Sequence, residues 1–93
     1  MSCDTNVPNL DAMNVDELRD ISNKLSRPSR KVAAELFPAK PRGYVKAAQR
    51  LSFYASNKSA AMYCRRRGNL ENATMYEGIC ERIYKSLPAY AKW

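Results

Sequence analysis

The sequence predicts an all-α protein, with two short N-terminal helices followed by a long antiparallel C-terminal helical hairpin. Three observations carry this. Apolar residues recur at spacings of three and four in successive stretches, as a 3.6-residue period requires. The prolines, together with Gly43 and Gly68, fall between those stretches. The apolar–polar alternation of a half-buried strand appears nowhere. With 93 residues and 10.6 kDa there is room for one helical domain, expected over 13–93 behind a flexible segment 1–12. Size scaling leaves about 5,500 Å² of roughly 15,000 Å² exposed after folding, enough burial for a modest core without metal or disulfide.

The first helix is expected over 14–25. Asn14 is a good cap, Glu17 completes a capping box, and Asp16 and Glu17 favour the positive end of the helix dipole. Met13 can pack back on Leu18 as a hydrophobic staple, and Val15, Leu18, Ile21 and Leu25 form the apolar stripe. Pro28 ends this pattern, and Ser29 can cap a second helix over 29–37 with Val32, Ala33, Leu36 and Phe37 on one side. Pro38 and Pro41 close it, and Lys40-Pro41-Arg42-Gly43 reads as a basic turn. From Tyr44 to Arg67 nothing breaks a helix, and Gly68 follows as a C-terminal stop. One face holds Tyr44, Ala47, Ala48, Leu51, Tyr54, Ala55, Ala61 and Met62, and the other Val45, Phe53, Ala60 and Tyr63, so the helix should be flanked on both sides. Asn69 can cap the last helix, where Leu70, Ala73, Tyr76, Cys80, Ile83 and Leu87 step cleanly to Pro88. The aromatic tail Ala89-Tyr90-Ala91-Lys92-Trp93 is expected to fold back over one end of the core.

Composition narrows function. The chain has no histidine, which removes most general-base, nucleophile-activating and metal-binding schemes. No catalytic residues, metal site or cofactor are expected. No window approaches 18 apolar residues, and the start lacks the pattern of a signal peptide. Cys3, Cys64 and Cys80 follow no ligand spacing, and a reducing, cytoplasmic setting fits them best. Cys64 and Cys80 stand too far out of level across the hairpin to bond to each other.

The net charge of +7 is unevenly spread. Residues 1–26 hold five acids and two bases, residues 27–67 hold eleven bases and only Glu35 as an acid, and residues 68–93 are balanced. Such a basic block points to an anionic partner, either nucleic acid or an acidic protein surface. Candidate contacts are Arg30, Lys31, Lys40, Arg42, Lys46, Arg50, Asn57, Arg65, Arg66 and Arg67. On the long helix Lys46, Arg50, Phe53, Asn57 and Cys64 lie within about 60° of one another at 100° per residue. The bases can take phosphates, and Phe53 and Asn57 can add stacking and an amide contact. Alternatively this face packs on the acidic first helix, with Arg50 paired to Asp16 or Asp20. Arg65, Arg66 and Arg67 fan over about 200°, and bases there also complement the helix dipole. Of the six tyrosines, Tyr76 should be buried, and Tyr63 and Tyr84 should reach solvent or a partner, as should Phe53 and Trp93. Glu77 and Glu81 share a face, where they can hold a divalent ion or bond a base one turn away.

Three resemblances bear on this reading. Leu10–Arg19 resembles the opening helix of SAP-type and Rho-N-type nucleic-acid modules, whose second half has no counterpart here. Residues 54–87 are similar to a single tetratricopeptide-type repeat, with Ala61, Gly68 and Ala73 at its small and turn positions. Cys80 replaces an alanine of that pattern, Lys85 stands where a proline closes it, and no second repeat follows. The likeness therefore implies a shared helix-pair packing and no peptide groove. Roughly the last 40 residues, through Tyr76-Glu77, Ile79-Cys80-Glu81-Arg82-Ile83-Tyr84 and Trp93, also resemble small helical proteins of bacterial and phage genomes. That likeness implies a phage or mobile-element origin, in which case the setting is the host cytoplasm. The sequence thus predicts a small non-catalytic binding protein engaging an anionic partner through its basic middle. The alternative is a protein-interaction or assembly factor, such as an accessory virion component or an inhibitor of a host protein, with a homo-oligomer open and no membrane partner.

Overall fold

The computed structural model describes residues 5–93, so the expectation for Cys3 lies outside the described residues. Every regular element among them is helical: α1 (Val15–Leu25), α2 (Arg30–Leu36), α3 (Tyr44–Arg66) and α4 (Leu70–Ser86). Single 3₁₀ turns precede and follow them at Leu10–Ala12 and Ala89–Ala91. Local chemistry explains the boundaries. The Asn14 side chain accepts from the Glu17 amide at 2.8 Å while the Glu17 carboxylate accepts from the Asn14 amide at 3.1 Å, a reciprocal capping box. Ser29 and Asn69 cap α2 and α4 in the same sense. At the end of α3 Gly68 adopts φ +81°, and the amides of Asn69 and Gly68 donate to the carbonyls of Cys64 and Arg65. This is a Schellman stop, and it turns the chain directly into α4.

The strut of the fold is α3, which packs against α1, α2 and α4. Its 23 residues run about 34 Å at 1.5 Å each, most of the 42 Å length of the molecule. Toward α4 it presents Tyr54 and Ala61, against which Ala73 and the buried Cys80 are placed. The Cys80 thiol donates to the Tyr54 carbonyl at 3.7 Å. Toward α1 it uses small residues: Ala48, Ser52, Ala55 and Ser59 recur at four, three and four and are all buried. Ser52 Oγ donates to the Ser22 carbonyl at 2.8 Å, so the hydroxyl is satisfied while α1 approaches closely. The second flank of α3 is therefore this Ala/Ser seam. Phe53 and Tyr63, apolar residues on the other side of α3 that were expected to reach solvent or a partner, are exposed. Leu70 and Met75 are exposed too, and Tyr76 is half-buried where full burial was expected. Cys64 and Cys80 are free thiols.

Residues 5–12 pack on the domain through irregular backbone and the first 3₁₀ turn. Asn6 donates its amide to the Leu36 carbonyl at 2.7 Å and its side chain to the Glu35 carbonyl at 3.0 Å, capping the C-terminal end of α2. Leu10 is fully buried in the core. Asp11 then clasps both ends of the chain to α3. Its carboxylate accepts from the Tyr54 hydroxyl at 2.6 Å and from Trp93 Nε1 at 3.0 Å, and pairs with Lys58 at 3.3 Å. The tail folds back as expected. Trp93 meets Tyr54 and Tyr84 edge-on, with centroids 4.6 and 4.7 Å apart, and Tyr90 meets Phe37 at 5.3 Å.

Burial pushes the Asp11 carboxyl up, but the hydrogen bonds from Tyr54 and Trp93 and the Lys58 ammonium more than offset this. The net result lies below the usual carboxylate range. A carboxyl lowered in the folded state adds stability above its unfolded value near 3.9 and loses it as pH falls through the folded one. Asp11→Asn should therefore cost about 1 kcal/mol near neutrality, a value kept small because the carboxylate is half exposed. The melting temperatures of variant and parent should converge as pH falls from about 5 toward 2, as thermal scans by circular dichroism would record. The hairpin contact gives a second expectation. Ala73 is fully buried one turn past the corner whereas Ala60 is partly exposed. Ala73→Leu should overpack by about 1–3 kcal/mol, and Ala60→Leu should leave the melting temperature nearly unchanged.

Candidate functional site

A broad open groove of about 1220 Å³ lies where α2, its two flanking turns and the start of α3 converge. Arg27 and Pro28 enter it from the α1–α2 turn, Arg30, Lys31 and Ala34 from α2, and Lys40 and Gly43 from the next turn. Tyr44, Val45, Lys46 and Gln49 complete it from the first turns of α3. Five of these side chains are cationic and none is acidic. A shallower depression of about 270 Å³ adjoins it across Lys46, with Arg42 and Arg50 on its walls.

The local sequence builds this shape. Pro28 and Ser29 stop one helix and start the next within a few residues. The Lys40 amide donates to the Phe37 carbonyl and the Tyr44 amide to the Pro41 carbonyl, so two tight turns reverse the chain from α2 into α3. Gly43 takes φ +78° in the second turn. Lys40 takes φ +50° in the first, a left-handed conformation that costs a non-glycine residue roughly 1–2 kcal/mol. Gln49 Nε2 reaches the Ser26 carbonyl at 3.4 Å and ties the groove wall to the end of α1.

The electrostatics are one-sided. Arg27, Arg30, Lys31, Lys40, Arg42 and Lys46 form no ion pair among the described residues. Glu35, the acid of α2, is held by Lys24 at 3.3 Å. Asp16 and Asp20 do not reach the basic face, and Arg50 instead donates to Ser86 Oγ at 2.8 Å. The expected pairing of Arg50 with α1 is thus replaced by a neutral link to α4, because the face of α3 that carries Arg50 turns toward α4 while α1 lies on the Ser52 side.

The predicted site residues therefore separate. Arg30, Lys31, Lys40 and Lys46 share the main groove, and Arg42 and Arg50 the adjoining one. Arg27 belongs with them and had been read only as the first base of the basic block. Asn57 donates its amide to the Phe53 carbonyl and lies along its own helix. Arg65, Arg66 and Arg67 stand at the other end of α3, about 30 Å from Lys46. Arg65 is bound bidentately by Glu77 of α4, at 2.7 to 3.1 Å, which holds its guanidinium above its ordinary value. Arg66 lines a shallow depression with Asn14 and Asp16, and Arg67 stands 5.5 Å over the Tyr63 ring. Tyr84 and Trp93, expected to meet a partner, are half-buried in the aromatic clasp, where the Tyr84 hydroxyl donates to the Trp93 carbonyl at 3.0 Å.

A pocket of about 430 Å³ beside the clasp has its own charged lining, but each of those charges is already paired. Asp11 pairs with Lys58, Glu77 with Arg65, and Glu81 with Lys85. Burial pushes the Cys80 thiol up to about 11, so it is protonated and unreactive at neutral pH. No group of three or more potential metal ligands occurs among the described residues, nor is any described helix long and apolar enough to cross a membrane. No protein-family model, curated protein or solved structure matches this chain.

Lys40 provides a test of how the groove is made. Lys40→Gly should relieve the left-handed strain and stabilise the protein by about 0.5–1 kcal/mol, measured by urea denaturation, while removing one groove charge.

Proposed function

We propose that the protein is a non-catalytic binding module that holds the phosphate backbone of a nucleic acid in the basic groove between α2 and α3. One observation carries this reading: seven cations from four consecutive segments line two adjoining depressions with no carboxylate to neutralise them. Like charges gathered without partners repel and lower stability, and an anion relieves that repulsion on binding. A backbone of regularly spaced phosphates can satisfy several of them together, with Arg27 and Arg30 offering forked donors and the lysines point charges. Catalysis has no support in the site, since the chain contains no histidine and the lining holds no nucleophile–base pair.

Fluorescence anisotropy with a labelled oligonucleotide across a salt series tests this. The logarithm of the binding constant should fall linearly with the logarithm of salt concentration, and Lys31→Gln with Lys46→Gln should flatten the slope by about 1.4–1.8. The melting temperature of that double variant should stay the same or rise, because neither lysine loses a partner. Salt-insensitive binding, or full affinity in the double variant, would overturn the reading. Affinity for heparin without affinity for oligonucleotides would reassign the groove to an acidic protein surface.

A further inference from the structure

Resting on the nucleic-acid reading, we infer that the bound strand is single and runs from the basic groove along the open face of α3, stacking its bases on Phe53 and Tyr63.

The fold leaves one long side of α3 uncovered. The Ser52 and Ser59 side is closed by α1, and the Tyr54 and Ala61 side by α4. Between them Lys46, Phe53, Ala60 and Arg67 recur every seven residues, drifting only about 20° per step, so they form a nearly straight line. Gln49, Ser56 and Tyr63 form a parallel line beside it. Along this track Lys46 and Phe53 are about 10 Å apart, and Phe53 and Tyr63 about 15 Å. The track begins in the groove and ends at Arg66 and Arg67, so cations stand at both ends with rings between.

The two rings are open to solvent. Phe53 is 50% exposed and Tyr63 47%, and Phe53 meets no other ring or cation among the described residues. The Arg67 guanidinium over Tyr63 extends that platform with a second planar group. Bases in a duplex are already stacked on one another, whereas unpaired bases offer free faces to exposed rings. A duplex would engage the groove cations through its phosphates and leave Phe53 idle. The pattern of a cationic path with interleaved aromatic rings fits a strand whose bases are free.

The experiment compares a labelled 20-nucleotide oligothymidylate with a 20-base-pair duplex, for parent, Phe53→Ala and Phe53→Trp, in the same salt series. The parent should bind oligothymidylate more tightly than duplex. Phe53→Ala should weaken oligothymidylate binding about ten-fold or more, with its salt slope and its duplex affinity unchanged, and Phe53→Trp should restore binding. The ring is half exposed, and matching thermal scans would confirm that each variant is folded. If Phe53→Ala binds oligothymidylate like the parent, or weakens both forms equally, stacking is overturned while salt-dependent binding keeps the groove reading in place. Absence of salt-dependent binding to either form overturns both.

Discussion

The architecture depends on one helix being small on one side and bulky on the other. Where α3 meets α1, Ala48, Ser52, Ala55 and Ser59 bring no bulk, so two backbones approach closely and the serine hydroxyls close on nearby carbonyls. Where α3 meets α4, the volume comes from Tyr54 and from Cys80 across the seam. A helix served on both flanks in this way has no need for apolar cover along its remaining strip. That strip is left to water, and the residues on it are free of packing duties.

Charge is distributed by the same logic. Two of the three glutamates of α4 are used within the molecule, Glu77 on Arg65 and Glu81 on Lys85. Those of α1 lie on its outer surface, away from the bases that precede and open α3. The turns at Pro38–Gly43 then fold α2 back beside the start of α3, which stacks the bases of four consecutive segments into one place. A sequence with an ordinary proportion of charged residues thus produces a surface with one strongly positive end. Local turn geometry does this more than the net charge does.

How legible each feature was in the sequence follows from the range of the interaction behind it. The helices and their ends were readable because Asn14 with Glu17, Ser29, and Gly68 with Asn69 act within five residues of where they sit. Four cations of the groove were readable as members of a basic run, and Arg27 was missed because it lies before Pro28 and outside any periodic face. The Ser52 and Ser59 seam was hidden because a buried serine reads as polar until its carbonyl partner is known. Asp11 was hidden more completely. Its partners lie 43 and 82 positions away, and nothing in local spacing announces such contacts. Phe53 shows the ambiguity of a lone apolar residue: its side of α3 was readable both as a flank to be covered and as an open face, and only the smaller neighbours that cover α3 decide for the second.

The Asp11–Trp93 bond also bears on the order in which the chain folds. Joining residues 82 apart in an open chain costs about 4 kcal/mol in closure entropy, before the constant term. That is more than one partly exposed hydrogen bond returns. The clasp therefore forms after the α3–α4 hairpin and the α1 seam have drawn its ends together, when the remaining loop is short. The reverse holds in the folded protein. Releasing Trp93 breaks none of the four helices, so the tail is the part of the fold whose opening costs least. Amide exchange in 89–93 is accordingly expected to be faster than the exchange at the centre of α3 that requires global unfolding.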